Sequence, residues 1–96
     1  MEINIQIEEN SNKGSAFIAD EKEVQAEMTY TMAGDNLMII DHTQVDESLQ
    51  GQGIGRKLLD ELINKARHQN IKIMPLCPFA KSVFDKDESI RDVLMK

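Results

Sequence analysis

Gln50-Gly51-Gln52-Gly53-Ile54-Gly55-Arg56-Lys57 sets three alternating glycines beside two cations. Glycine lets a backbone pass close to a ligand. If this turn opens a helix, the first N–H groups lack intrahelical partners and carry a positive partial charge. Such a start favours an anion, and a pyrophosphate is the obvious guest. Two familiar phosphate motifs are excluded by spacing. A P-loop requires Gly-Lys-Ser/Thr, but Arg56 stands five residues after Gly51 and no Lys-Ser/Thr follows. A dinucleotide fingerprint would need glycine at position 56, and it belongs early in a β-α-β unit. Glycines so spaced can also serve only a tight turn. Cys77, the one cysteine, directly precedes Pro78. Proline favours a first helical turn, so Cys77 falls at an N-cap, where the helix dipole lowers a thiol pKa. It could equally be a small buried hydrophobe. His42 could act as a general base or polarise a water, or be a satisfied, partly buried histidine. Asp41 and Glu47 could orient a cationic amine. His68 suits a helix C-terminus. Cys77 and the two histidines show no metal-ligand spacing, and no Ser-His-Asp arrangement is suggested.

The elements that must position these groups can be read from hydrophobic periodicity. Ile3, Ile5 and Ile7 alternate with polar residues, as in a half-buried strand. Asn10 to Gly14 is a polar turn, Ser15 to Asp20 a second strand and residues 20–23 a charged turn. Val24, Ala26, Met28, Tyr30 and Met32 alternate cleanly, predicting a strand with one wet face. Ala33-Gly34-Asp35-Asn36 reads as a hairpin turn. Leu37 to Val45 is a fourth strand whose apolar start predicts cover on both faces. Ile54, Leu58, Leu59, Leu62, Ile63 and Ala66 form one stripe of a helix from about Gly53 to Gln69. Ile71, Ile73 and Leu76 mark a short strand, with Pro75 where no ladder donor is needed. A helix starts at Pro78, and Asp87 or Ser89 caps a last short one. The order is β-β-β-β-α-β-α-α. The class is α+β, or mixed α/β: an antiparallel four-strand meander, a helical crossover to a parallel fifth strand, and short C-terminal helices.

Ninety-six residues make one domain, 1–96, without repeat or linker. The 41% hydrophobic and 29% charged fractions are those of a globular chain, not a disordered one. No apolar run approaches the ~20 residues of a membrane span. The first residues lack the basic start and apolar block of a signal peptide. A single cysteine suits a reducing cytoplasm. Net charge −6 and three Phe, one Tyr and no Trp argue against nucleic-acid binding. The charge is uneven. Residues 1–48 hold eleven acids and two lysines, net −9; residues 49–96 hold six acids and nine Lys/Arg, net +3. The first half could draw a cation and the second an anion, or both could be solvated surface.

The spacing Gln50-x-x-Gly53-x-Gly55 matches the Q/R-x-x-G-x-G/A motif of the GNAT acetyltransferases. With His42-Thr43-Gln44-Val45 before it, and a helix, Ile71 to Cys77 and Pro78 after it, the chain resembles the minimal, short-chain members of that family. Element order and length agree along nearly the whole chain. The segment Asp41 to Phe84 is the specific part. The resemblance implies acetyl-CoA, or free coenzyme A, as bound cosubstrate. Amides from about Gln52 through Gly53, Ile54, Gly55 and Arg56 to Lys57 would hold the pyrophosphate, with Gln50 opening the motif. The main chain of Thr43, Gln44 and Val45 would pair with the pantetheine arm where strands four and five splay. Arg56, Lys57 or Lys81 would meet phosphates. Many GNAT members use a tyrosine after strand five to protonate the leaving thiolate. Here Phe79 and Phe84 lie in that region, and the only tyrosine is Tyr30. In the minimal members a cysteine at the place of Cys77 stands near the thioester, implying an acetyl carrier or a proton donor. The expected activity is N-acetyl transfer to a small-molecule or protein amine, by a monomer or homodimer. The alternative is a coenzyme A-binding module without efficient catalysis.

Overall fold

The computed structural model describes residues 4–19 and 23–95. The charged turn expected over residues 20–23 therefore falls largely outside the described residues, as does Ile3. Five strands form one sheet in the order β1-β2-β3-β4-β5: β1 Gln6–Asn10, β2 Lys13–Ala19, β3 Val24–Met32, β4 Leu37–Val45 and β5 Lys72–Pro75. The first four pair antiparallel, and β4 pairs β5 in parallel. Helix α1, Ile54–Gln69, connects β4 to β5, and α2, Pro78–Lys86, follows. A 3-10 turn, Glu47–Leu49, precedes α1, and a second, Glu88–Val93, closes the chain. The mixed α+β class and the parallel crossover are as the periodicity predicts.

The first hairpin differs from its expectation. β1 begins at Gln6, and all five of its residues are exposed. The polar turn contracts to Ser11 and Asn12, because Ser11 takes a left-handed φ of 55° and Lys13 and Gly14 join the ladder. β1 is the edge strand of the sheet. Ile5, just before it, packs half-buried against the core, and Ile7 lies opposite the buried Ala16 but is left 37% exposed at this edge. The alternation thus marks the strand and its inward side but not how far the cover extends. Gly14 lies opposite Tyr30, and a Cβ there would lie 2.5 Å from the ring and hydroxyl of Tyr30. The glycine lets the Tyr30 ring cross it, and the phenol donates to Glu9 Oε1 at 2.7 Å. Burial first, and then Glu9, push the Tyr30 pKa well above 10.0.

Residues directly opposite in an antiparallel pair share a face. Ala26, Met28 and Tyr30 on β3 thus lie with Val45, Thr43 and Ile40 on β4. Ile40 and Thr43 are three apart, so β4 carries an extra residue between them, where the register shifts at Thr29/Tyr30. Met38 and Ile40 are fully buried, whereas Leu37 and Ile39 are half-buried. The expectation of two covered faces is corrected: the core lies on one face. There the buried side of β2–β5 meets Ile54, Leu58, Leu59, Leu62, Ile63 and Ala66 of α1, Ala80 and Phe84 of α2, and Ile90 and Val93. Each of the Ile, Leu, Val and Phe side chains among them contributes ~1.5–3 kcal/mol on burial. α1 ends on Asn70, left-handed at φ 59°, whose N–H returns to Ala66 O. Asp87 caps the last turn by accepting from Ser89 N at 2.9 Å.

Candidate active site

The parallel ladder between β4 and β5 ends at Ile40 opposite Pro75. Pro75 is the last residue of β5, where its missing N–H is not needed. Ile40 O then accepts from both Leu76 N, at 3.0 Å, and Cys77 N, at 3.1 Å. β4 continues to Val45 without β5 beside it. Its edge there offers N–H and C=O groups to any extended amide-bearing chain.

An open cleft of about 420 Å³ adjoins this edge, lined by Thr43, Val45, Leu49, Gln50, Gly51, Gly53, Ile54, Gly55 and Phe79. Asp46 caps the 3-10 turn, accepting from Ser48 N at 3.3 Å and Ser48 Oγ at 2.5 Å. Those bonds hold the Asp46 carboxyl below its ordinary 3.8. Gly51 and Gly53 are left-handed, at φ 83° and 70°, which turns the chain from β4 into α1. Gly53 is the N-cap of α1, and no side chain caps the helix. The first helical bond runs from Lys57 N to Gly53 O, at 3.2 Å. The N–H groups of Ile54, Gly55 and Arg56 precede it and have no intrahelical acceptor. Gly55 has a different reason: a Cβ there would sit 2.9 Å from Phe79 Cζ. The Phe79 ring lies over the helix start as one wall of the cleft.

Cys77 is the N-cap residue of α2, with Pro78 behind it. The thiol caps nothing; Cys77 Sγ lies 3.0 Å from Thr43 Oγ1 and is buried. Among the residues singled out by sequence, Thr43, Val45, Gln50, Gly53, Ile54 and Gly55 line the cleft, and Cys77 touches Thr43. His42 is not brought to Cys77. It is exposed and paired with Thr29, on the opposite face of the sheet from Thr43. Gln44 shares that outer face with Glu27. Arg56 is engaged elsewhere, donating to Asp60 Oδ1 at 2.9 Å and Asp87 Oδ2 at 2.7 Å. Its bonds raise the Arg56 pKa, Asp60 first and then Asp87. Gln52 donates weakly to Ser48 O at 3.5 Å, and Lys57 and Lys81 are exposed. Gly51, one of the three alternating glycines, also lines the cleft, and the residues not foreseen there are Leu49 and Phe79. Leu49 had a signal, as a lone apolar residue in the polar run 46–53. Phe79 has the signal of an apolar residue in the first turn after Pro78, but nothing in its spacing points it to the cleft. Among the described residues, no three His, Cys, Asp or Glu side chains group as a metal site. No described helix is long and apolar enough to cross a membrane.

The profile of the GCN5-related N-acetyl-transferases matches residues 15–93. The solution structure of a GCN5-like protein from Staphylococcus aureus, provisionally named an N-acetyltransferase, is 41% identical. Its match covers 96% of this chain and 89% of that one, with a TM-score of 0.74. The ribosomal-protein-alanine N-acetyltransferase of Brucella melitensis shares the fold at 16% identity and TM-score 0.64, over 80% of this chain and 62% of that one. An aminoglycoside acetyltransferase from an uncultured soil metagenomic sample, solved with sisomicin, does so at 17% and 0.60, over 91% and 62%. No curated protein matches the chain. The long profile match and the 41% identical structure, carried on a β4–α1–β5 unit with an uncapped helix start, show that this chain belongs to the GCN5-related N-acetyltransferase family.

Proposed function

We propose that the chain binds acetyl-CoA in the cleft between β4 and α1 and moves its acetyl group to an amine, with Cys77 at the reacting end. The observation that carries this is the uncapped start of α1 opening on the cleft beside the free edge of β4. The residues fit the group. Three orphan N–H groups at Ile54, Gly55 and Arg56 suit a pyrophosphate. The edge at Thr43, Gln44 and Val45 suits the amides of a pantetheine arm, and Val45, Leu49, Ile54 and Phe79 give that arm apolar walls. Gln50 and Gln52 flank the turn. Lys57 and Lys81 supply exposed positive charge for phosphates, whereas the Arg56 side chain serves the fold. Acetyl-CoA supplies an activated thioester. Cys77 supplies a thiol where β4 and β5 part. Tyr30, whose hydroxyl is spent on Glu9, supplies no proton to a leaving group. We read the unit as one domain that works in the cytoplasm, where a lone thiol stays reduced. The acceptor is a small-molecule or protein amine.

Calorimetric titration with acetyl-CoA and coenzyme A tests this. Saturable binding of both is expected. Gly53→Asp puts a carboxylate beside the orphan amides, and aspartate is among the residues that tolerate a left-handed backbone. It should weaken binding at least about tenfold, or ~1.4 kcal/mol, while the thermal midpoint shows the fold intact. Equal affinity in a folded Gly53→Asp variant would rule this site out.

A further inference from the structure

Thr43 enters the proposed function only through its main chain, yet its hydroxyl is within 3.0 Å of Cys77 Sγ and either atom can be the donor. A threonine on a strand is usually explained by its branched Cβ, and this one also pairs with Met28 across the sheet. Neither explains why its oxygen faces a buried thiol. The extra residue in β4 does the aiming. Without it, position 43 would face outward, opposite Glu27.

The cleft poses a chemical problem that this contact answers. Exchange between a thiol and a thioester moves a proton. The Cys77 sulfur must lose one to attack, and the departing coenzyme A sulfur must gain one. No Asp, Glu, His, Lys, Arg or Tyr side chain lines the cleft. His42 is on the far face, Tyr30 is bonded to Glu9, and Arg56 is paired with Asp60 and Asp87. A hydroxyl has one donor and two acceptor lone pairs, so it can take one proton as it gives another.

We infer that the Thr43 hydroxyl is a catalytic proton relay between the Cys77 thiol and the leaving thiol of the acyl donor, an inference that rests on the proposed acetyl-CoA reading. The bookkeeping of the step closes without another reactant. The Cys77 S–H proton passes to Thr43 Oγ1 as the Cys77 sulfur bonds to the acetyl carbon. The acetyl carbon–sulfur bond of the donor breaks, and the Thr43 hydroxyl proton goes to that sulfur. Acetyl-Cys77 and free coenzyme A thiol are the products, and Thr43 is regenerated. Nothing is oxidised or reduced. The acetyl group can then pass to an amine.

The test mixes the full chain with acetyl-CoA and follows two signals, acetyl mass on Cys77 and release of coenzyme A thiol. Wild type, Thr43→Val, Thr43→Ser and Cys77→Ala are compared, with acetyl-CoA affinity measured by calorimetry for each. Valine keeps the shape and removes the relay; serine restores the hydroxyl. Acetylation should slow at least about thirtyfold in Thr43→Val and recover to within about fivefold in Thr43→Ser, with affinities within twofold. Proton relays are typically worth 10²–10⁴-fold, so thirtyfold is a lower bound. A second readout needs no acyl donor. Alkylation of Cys77 by iodoacetamide in the free protein should slow severalfold in Thr43→Val and not in Thr43→Ser, because the hydroxyl donates to the sulfur as it becomes anionic. Acetylation at the wild-type rate in Thr43→Val would overturn the relay and leave the acetyl-CoA reading standing. A slowing matched by an equal loss of affinity would overturn it too. Binding without any acetyl on wild-type Cys77 would remove both the relay and the cysteine route. Absence of binding would remove the acetyl-CoA reading itself.

Discussion

A methyl group at Gly55 would sit 2.9 Å from Cζ and 3.0 Å from Cε2 of Phe79. That ring is at the far end of its side chain and 38% exposed, so it can swing aside at small cost. Helical propensity favours alanine over glycine by up to ~1 kcal/mol in a helix interior and by less at Gly55, the second residue of α1. Gly55→Ala should therefore leave the thermal midpoint close to wild type. It should weaken coenzyme A binding several-fold by driving the ring into the cleft. Adding Phe79→Leu should restore much of that affinity, and calorimetry on both variants checks the pair. If Gly55→Ala binds normally, the ring is not a wall of the ligand site. Residue types alone located this turn, because glycine, proline and cysteine each have a narrow set of uses. They did not separate the glycines by purpose. Gly51 and Gly53 serve backbone angle and Gly55 serves a neighbouring ring, and that distinction depends on a side chain 24 positions away. The placement of His42 was equally hidden. A single extra residue in β4 decides which face each side chain takes, and no composition rule marks Asp41 as the place for it.

At the scale of elements, the start of α1 is tied to the end of α2 by Arg56, which bridges Asp60 one turn on and Asp87 across the gap. Ser89 and then Arg56 hold the Asp87 carboxyl down to about 2, from an ordinary 3.8. A carboxyl depressed in the folded state stabilises it at pH above the unfolded value, and that contribution is lost as pH falls through the folded one. Asp92 is depressed in the same sense, by Arg67 first. Stability should thus decline between about pH 4 and pH 2. Asp87→Asn should flatten that decline, because it removes one carboxyl whose protonation drives it. Thermal midpoints measured from pH 7 to pH 2 check this, and an unchanged slope would mean the bridge is idle. The elements themselves were legible where periodicity was strong. α1 and β3 match their predicted stripes almost to the residue. β1 is more exposed than its alternation implies, because alternation reports a strand and its inward side but not how far the cover reaches at a sheet edge. The both-sided apolar start of β4 likewise promised a second layer that the fold does not build.

Over the whole molecule, the uneven charge of the sequence becomes a difference between layers. The net −9 half forms β1–β4 and the turn leading to α1; the net +3 half forms the helices, β5 and the C-terminal turn. On the proposed reading, an anionic cosubstrate at the start of α1 would meet the basic layer, and a cationic amine would meet the acidic sheet. The outer sheet face is polar along β3 and β4, with Glu27, Thr29, His42 and Gln44 in register. The family architecture was legible because the glycine motif, the strand before it and the strand after it stand in one order that few folds share. The central claim is that the start of α1 and the free edge of β4 hold acetyl-CoA. Amide chemical-shift mapping during titration with acetyl-CoA tests it most directly. The account predicts the largest changes at Thr43 to Val45, Gly51 to Lys57 and Cys77 to Phe79, with little change on β1 and β2. Saturating changes centred elsewhere, or none at millimolar ligand, would contradict it.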